Sequence, residues 1–140
     1  MGRGVGRFAA IVGLVSLIGG ATALASGSSI KVKAPRANVR VGRSFDVTVS
    51  GNALGKNAKR LRGFEGGYTN GRAIKCKASY SQEVSAYPSL TQQVYAVHGH
   101  FKQVYGYTAT HAGSKAFCAY LTNKSGTATS AHASAHWSNG

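Results

Sequence analysis

The amino-acid sequence predicts an all-β protein, an antiparallel sandwich of about seven short strands behind an N-terminal export signal. Three observations carry this expectation. Apolar side chains recur at every second position over most of the chain from Ile30 to Trp137, and glycine-rich turns interrupt them at short intervals. Almost none of the 140 residues falls into the 3.6-residue recurrence of an amphipathic helix.

The elements follow in order. Ile30 and Val32 alternate with Lys31 and Lys33 until Pro35 closes the segment, and Val39 and Val41 precede a turn at Gly42. Over residues 44–50, Phe45, Val47 and Val49 point one way while Asp46, Thr48 and Ser50 point the other, the pattern of a half-buried strand. Residues 54–61 are ambiguous, because Lys56, Lys59 and Arg60 fall among small residues. A strand around Leu61 and Phe64 spans 60–68, and Gly66-Gly67 and Asn70-Gly71 mark turns after it. Residues 73–80 carry Cys76 in a strand or extended loop, and the polar stretch 81–93 reads as loop or a short helical turn. Residues 94–110 are rich in valine and tyrosine, with a bend or bulge expected at Gly99 or Gly106. A compact strand spans 116–122. In the closing strand, 127–137, Thr129, Ala131, Ala133, Ala135 and Trp137 share one face, and the last three residues are expected to fray.

The N-terminal 25 residues read as a cleavable signal peptide. Arg3 and Arg7 supply the positive end, an apolar run follows from Phe8 to Ile18, and Ala23-Leu24-Ala25 supplies the small-x-small site. The apolar run is shorter than the ~20 residues needed to cross a bilayer. No cysteine follows it to accept a lipid, and no second apolar segment exists. The expectation is a protein secreted, periplasmic or held at the cell surface. Residues 26–140 then form one domain, its ordered core at about 30–137.

The 115 residues after position 25 carry 15 lysines and arginines against Asp46, Glu65 and Glu83, a net charge of +12. Such an imbalance attracts polyanions. Outside a cell the candidate partners are anionic wall polymers, anionic lipid surfaces, extracellular DNA and acidic polysaccharides. Cys76 and Cys118 are the only cysteines, and an even count in an exported chain predicts a disulfide.

The strand order, the middle cysteine and the stretch Phe117-Cys118-Ala119-Tyr120-Leu121 together resemble secreted bacterial immunoglobulin-like domains. The resemblance implies a β-sandwich scaffold that hosts adhesion, carbohydrate binding or surface display. The chain departs from the antibody-type pattern in three ways. Ala116 stands where a tyrosine would precede the second cysteine, no tryptophan lies between the cysteines, and Cys76 comes late for a second strand. The disulfide is accordingly expected to join the third-strand-to-loop region to the sixth strand.

Chemistry requires convergent groups, and few are available. The three acids fall on different elements, and neither a G-x-S-x-G elbow nor a phosphate-cradling G-x-x-x-x-G-K occurs. No catalytic residue, cofactor site or dedicated nucleic-acid motif is assigned. The favoured function is therefore non-catalytic binding of a polyanion. Lys75, Lys77, Tyr80, Lys102 and Tyr105 are its candidate contacts, the aromatic rings stacking on sugars while the lysines hold anions. The alternative is a metal site. His98 and His100, two apart on one strand, and His132 and His136 on the last strand would bring four imidazoles together if those strands were adjacent. A third reading makes His98, His100 and Lys102 the acid-base set of a small secreted hydrolase.

Overall fold

The computed structural model describes residues 27–67 and 70–140. The export signal expected over residues 1–25 lies outside them. Seven strands form two antiparallel sheets: β1 (Ser29–Lys33), β2 (Ser44–Ala53), β3 (Lys59–Gly66), β4 (Gln92–Val97), β5 (Gly99–Thr108), β6 (Gly113–Thr122) and β7 (Thr129–Asn139). One sheet has the order β1-β2-β5, the other β4-β3-β6-β7. Among the described residues one helix, α1 (Tyr80–Ala86), lies between β3 and β4.

The alternation in β2 fixes which side of the first sheet is buried. Val47, Val49 and Ala53 face inward and are almost fully excluded from solvent. They meet Leu61 of β3, Tyr105 of β5, Phe117, Ala119 and Leu121 of β6, and Trp137 of β7 in the core between the sheets. A Cβ at Gly63 would come within 2.5 Å of the Phe117 ring and 2.9 Å of the Tyr105 ring, so glycine there makes room for both aromatics. Their rings meet edge to face with centroids 4.8 Å apart.

β6 is buried on both faces, which is why its sequence shows no alternation. Ala116, Cys118 and Tyr120 point away from the central core into a second cluster with Phe64 and Ile74. That cluster is roofed by the excursion between β3 and β4, through Tyr80, Val84, Tyr87 and Leu90. The expected disulfide is present: Cys76 in this roof joins Cys118 on β6, with their Cα atoms 5.4 Å apart. Helix α1 is capped by Ser79, whose Oγ accepts from the Gln82 N–H at 3.3 Å. It presents Glu83 inward, fully buried. There Oε2 accepts from Lys77 N at 2.7 Å, and the Tyr120 hydroxyl lies between Oε2 at 2.9 Å and the Lys77 carbonyl at 2.8 Å.

Two local expectations change, and one open alternative is decided. Residues 94–110 form two strands in different sheets, separated by His98 alone; Gly99, at φ +61°, takes the left-handed conformation that turns the chain. Residues 73–79 take the loop alternative, with Ala73 in an isolated bridge to Gly67, and Tyr80 opens α1. The last residues are tied down: Asn139 is buried, accepts from Trp137 Nε1 and donates to the His111 carbonyl, both at 3.1 Å. Val39 N–H donates to the Ser138 carbonyl, and Gly140 N–H to the Val39 carbonyl.

Candidate functional site: a basic groove at one end of the sandwich

The acids are withdrawn from most of the surface. Glu83 is fully buried beneath the roof and Glu65 is half-buried, leaving Asp46 as the exposed carboxylate. Burial holds Glu65 above the ordinary carboxylate range, with Lys115 pulling the other way. The three lie on α1, β3 and β2, on separate parts of the fold, so no carboxylate pair is assembled.

Four of the cations, by contrast, converge at the end of the sandwich where the β2–β3 and β6–β7 connections meet. A groove of about 870 Å³ is lined there by Lys56, Lys59, Arg60 and Lys124, with Asn57 and Asn123, and no acid. Both connections are held by side chains. His98 Nε2 donates to the Gly55 carbonyl at 3.0 Å, steadying the loop that bears Lys56. Arg62 donates through a terminal nitrogen to the Lys124 carbonyl at 3.1 Å and through Nε to Thr122 Oγ1 at 3.0 Å. The β6–β7 turn is further closed by Ala128 N–H on Asn123 Oδ1 and by Asn123 Nδ2 on Thr127 Oγ1. Gly126, at φ +78°, lies where a Cβ would strike the Tyr80 ring. The groove is thus built before any ligand arrives, which lowers the ordering cost of binding.

The five residues expected to bind polyanions are not brought together. Tyr105 is completely buried in the central core, so it is no contact residue. Burial, with Tyr107 and Tyr95 beside it, holds its phenol far above the usual tyrosine range. Tyr80 is occupied internally: the Arg62 guanidinium lies 4.5 Å above its ring centroid and donates to its hydroxyl at 3.2 Å. Lys75 and Lys77 sit on the roof over the four-stranded sheet, and Lys77 Nζ is 5.9 Å from the Tyr87 ring centroid. Lys102 is exposed on β5, in the other sheet.

The histidines do not converge either. β5, with His100, and β7, with His132 and His136, belong to different sheets, and His98 precedes the turn at Gly99 rather than sharing a strand face with His100. Among the described residues no group of three or more histidine, cysteine or acidic side chains is placed to hold a metal. The same turn separates His98 from His100 and Lys102, and His98 is engaged with Gly55, so the acid-base set of the hydrolase reading is not assembled.

The groove residues were missed because Lys56 and Lys124 are remote in sequence, and only the pairing of β3 with β6 brings their loops together. The available signal was the basic stretch 56–60 next to a strand, set against a lysine in a turn after another.

No protein-family profile matches the chain. No curated protein matches it. Among solved structures, it is similar to the CARDB domain of a Pyrococcus furiosus protein determined by solution NMR, with a TM-score of 0.50 and 14% identity over 80% of this chain and 93% of that one. A crystal structure of that domain, described as in complex with di-metal ions, gives a TM-score of 0.48 and 12% identity over 80% and 91% of the respective chains. The first likeness concerns the fold: the chain is an immunoglobulin-like β-sandwich of the kind seen in CARDB domains.

Proposed function

We propose that this protein is an exported, non-catalytic binding module that holds an anionic polymer of the cell envelope or extracellular matrix in its basic end groove. The observation that carries the reading is the separation of charge. Four cations line one preformed groove with no acid among them, while two of the three carboxylates are wholly or partly withdrawn from solvent. Export is supported by the signal-like N-terminus and by a disulfide that an oxidising compartment would preserve. No helix among the described residues is long and apolar enough to cross a membrane. The non-catalytic reading is supported by the scattering of the three acids and of His98, His100, His132 and His136 over separate parts of the fold.

The test is retention of the purified domain on immobilised heparin over a salt gradient, compared with a Lys56→Ala, Lys124→Ala double variant. Contacts of this kind are screened as the Debye length falls from about 10 Å at 0.1 M towards 3 Å at 1 M. The native domain is expected to elute well above physiological salt and the double variant markedly earlier. Co-elution of the two, or passage of the native domain without retention, would dismiss the groove as the binding site.

A further inference from the structure

The outer face of the three-stranded sheet carries a second organised set of polar groups. β2 is the middle strand, and its outward residues Thr48, Ser50 and Asn52 are short, uncharged and half-buried. The strands on either side carry longer, exposed side chains in register. Lys31 and Lys102 flank Ser50, and Lys33 flanks Thr48. His100 stands beside Asn52. At ~4.8 Å between neighbouring strands, Lys31 and Lys102 face one another across about 10 Å, and Thr48 to Asn52 runs about 14 Å along the strand. The face is thus a trough with a hydroxyl and amide floor, walled by Lys31 and Lys33 on one side and by His100, Lys102 and the exposed Val104 on the other. It contains two hollows of about 560 and 580 Å³, one beside Lys31 and His100, the other beside Lys33 and Arg36. The exposed acid Asp46 stands at the end remote from the groove, in the second hollow.

The trough leads towards the groove. β2 passes directly from Asn52 and Ala53 into the loop bearing Lys56, and Leu54 N–H donates to Ser28 Oγ, anchoring that loop beside the start of β1. His98, the residue before β5, holds Gly55 of the same loop.

We infer that groove and trough form one track, which binds a single extended chain carrying both hydroxyl groups and a regularly repeated anion, as sulfated and phosphorylated polysaccharides do. This rests on the polyanion reading of the groove and extends it to the substrate class. The walls meet the anions, and the floor meets the hydroxyls, exchanging hydrogen bonds that a bare polyanion could not. Among the described residues, Thr48, Ser50, Asn52, Lys31, Lys33 and Lys102 spend no side-chain polar atom on another residue, so the face is free to make these bonds. Charge complementarity argues against a neutral sugar or a second copy of this equally basic chain.

The experiment measures affinity for a heparin tetrasaccharide and for full-length heparin at low salt. Three double alanine variants of equal charge loss are compared: Lys31 with Lys102 in the trough, Lys56 with Lys124 in the groove, and Arg72 with Lys75 as an exposed pair outside both. The trough pair is expected to weaken long-chain binding about tenfold and to leave the tetrasaccharide unchanged. The groove pair should weaken both ligands, and the outside pair should change neither by more than about twofold. If the trough and outside pairs lose equally, long-range charge alone operates and the track is refuted while the groove stands. If native protein binds neither ligand, the groove reading falls and the track with it. A Thr48→Val, Ser50→Ala variant separates the floor from the walls. It should lose affinity for long heparin but not for inorganic polyphosphate, and equal effects on the two would refute a role for the floor hydroxyls.

Discussion

Opening the Cys76–Cys118 bridge should lower the melting temperature of this domain by about 17 °C. The cysteines are 42 positions apart, and closing a loop of that length removes enough freedom from the unfolded chain to destabilise it by about 4 kcal/mol. A domain of this size has an unfolding entropy of about 0.24 kcal/mol per degree, which converts that loss into the stated shift. Two samples separate the cross-link from its packing. Protein reduced with dithiothreitol keeps both sulfurs in the cluster with Phe64, Ile74, Ala116 and Tyr120, whereas a Cys76→Ala, Cys118→Ala variant also leaves space there. Thermal unfolding followed by circular dichroism should show a large drop for the reduced protein and a slightly larger one for the variant. Reduced protein melting within about 3 °C of the oxidised form would refute the argument. It would mean that the buried roof contacts hold the excursion down in the unfolded ensemble as well, leaving the bridge little freedom to remove.

Three further outcomes are expected. Because burial raises the Glu65 pKa, the folded state keeps that proton to higher pH than the unfolded chain does, so stability declines as pH rises from near 4.5 through the folded value. Glu65→Gln should abolish that decline, stabilising the domain at neutral pH and not in strong acid; denaturant titrations across the range would show it, and a gain equal at every pH would contradict it. Asn139→Ala removes the acceptor of the buried Trp137 Nε1 and the donor to His111, and should cost about 1–3 kcal/mol in chemical unfolding, where a frayed terminus would cost nothing. Added salt should raise the melting temperature by screening repulsion among the surface cations, while eluting the protein from heparin; a melting temperature that falls with salt would show that attractive pairs outweigh repulsion.

How much of this was legible depended on whether one face of an element was wet. β2 was readable because Phe45, Val47 and Val49 alternate with Ser44, Asp46 and Thr48, and β7 because Ala131, Ala133 and Ala135 alternate with exposed His132, Ser134 and His136. β6 could be recognised as a strand, but the layer on its second face could not, since Phe117 to Leu121 are apolar without period. The helix is only seven residues long; its one local sign was Ser79 followed three positions later by Gln82, a capping-box spacing. The tyrosines misled because their hydroxyls suit both a wet surface and a packed core. Only sheet pairing decided that Tyr105 lies between Tyr95 and Phe117. The candidate site was least legible of all. Its cations come from two loops that share no local pattern and meet only after β3 pairs with β6.

The same geometry explains why so basic a chain tolerates its own charge. Glu83 neutralises no surface cation; it is spent inside, accepting from Lys77 N–H and meeting the Tyr120 hydroxyl, so that the roof is fastened by a carboxylate that solvent never meets. Arg62, half-buried, is likewise turned to an internal task, holding the β6–β7 turn through the Lys124 carbonyl and covering Tyr80. Fold stability here rests on packing, the bridge and buried hydrogen bonds rather than on surface ion pairs, which would contribute little in any case. The remaining cations are therefore not needed to hold the molecule together. Their removal should weaken binding without unfolding the domain, which is the condition for reading the groove and trough variants as tests of recognition and not of folding.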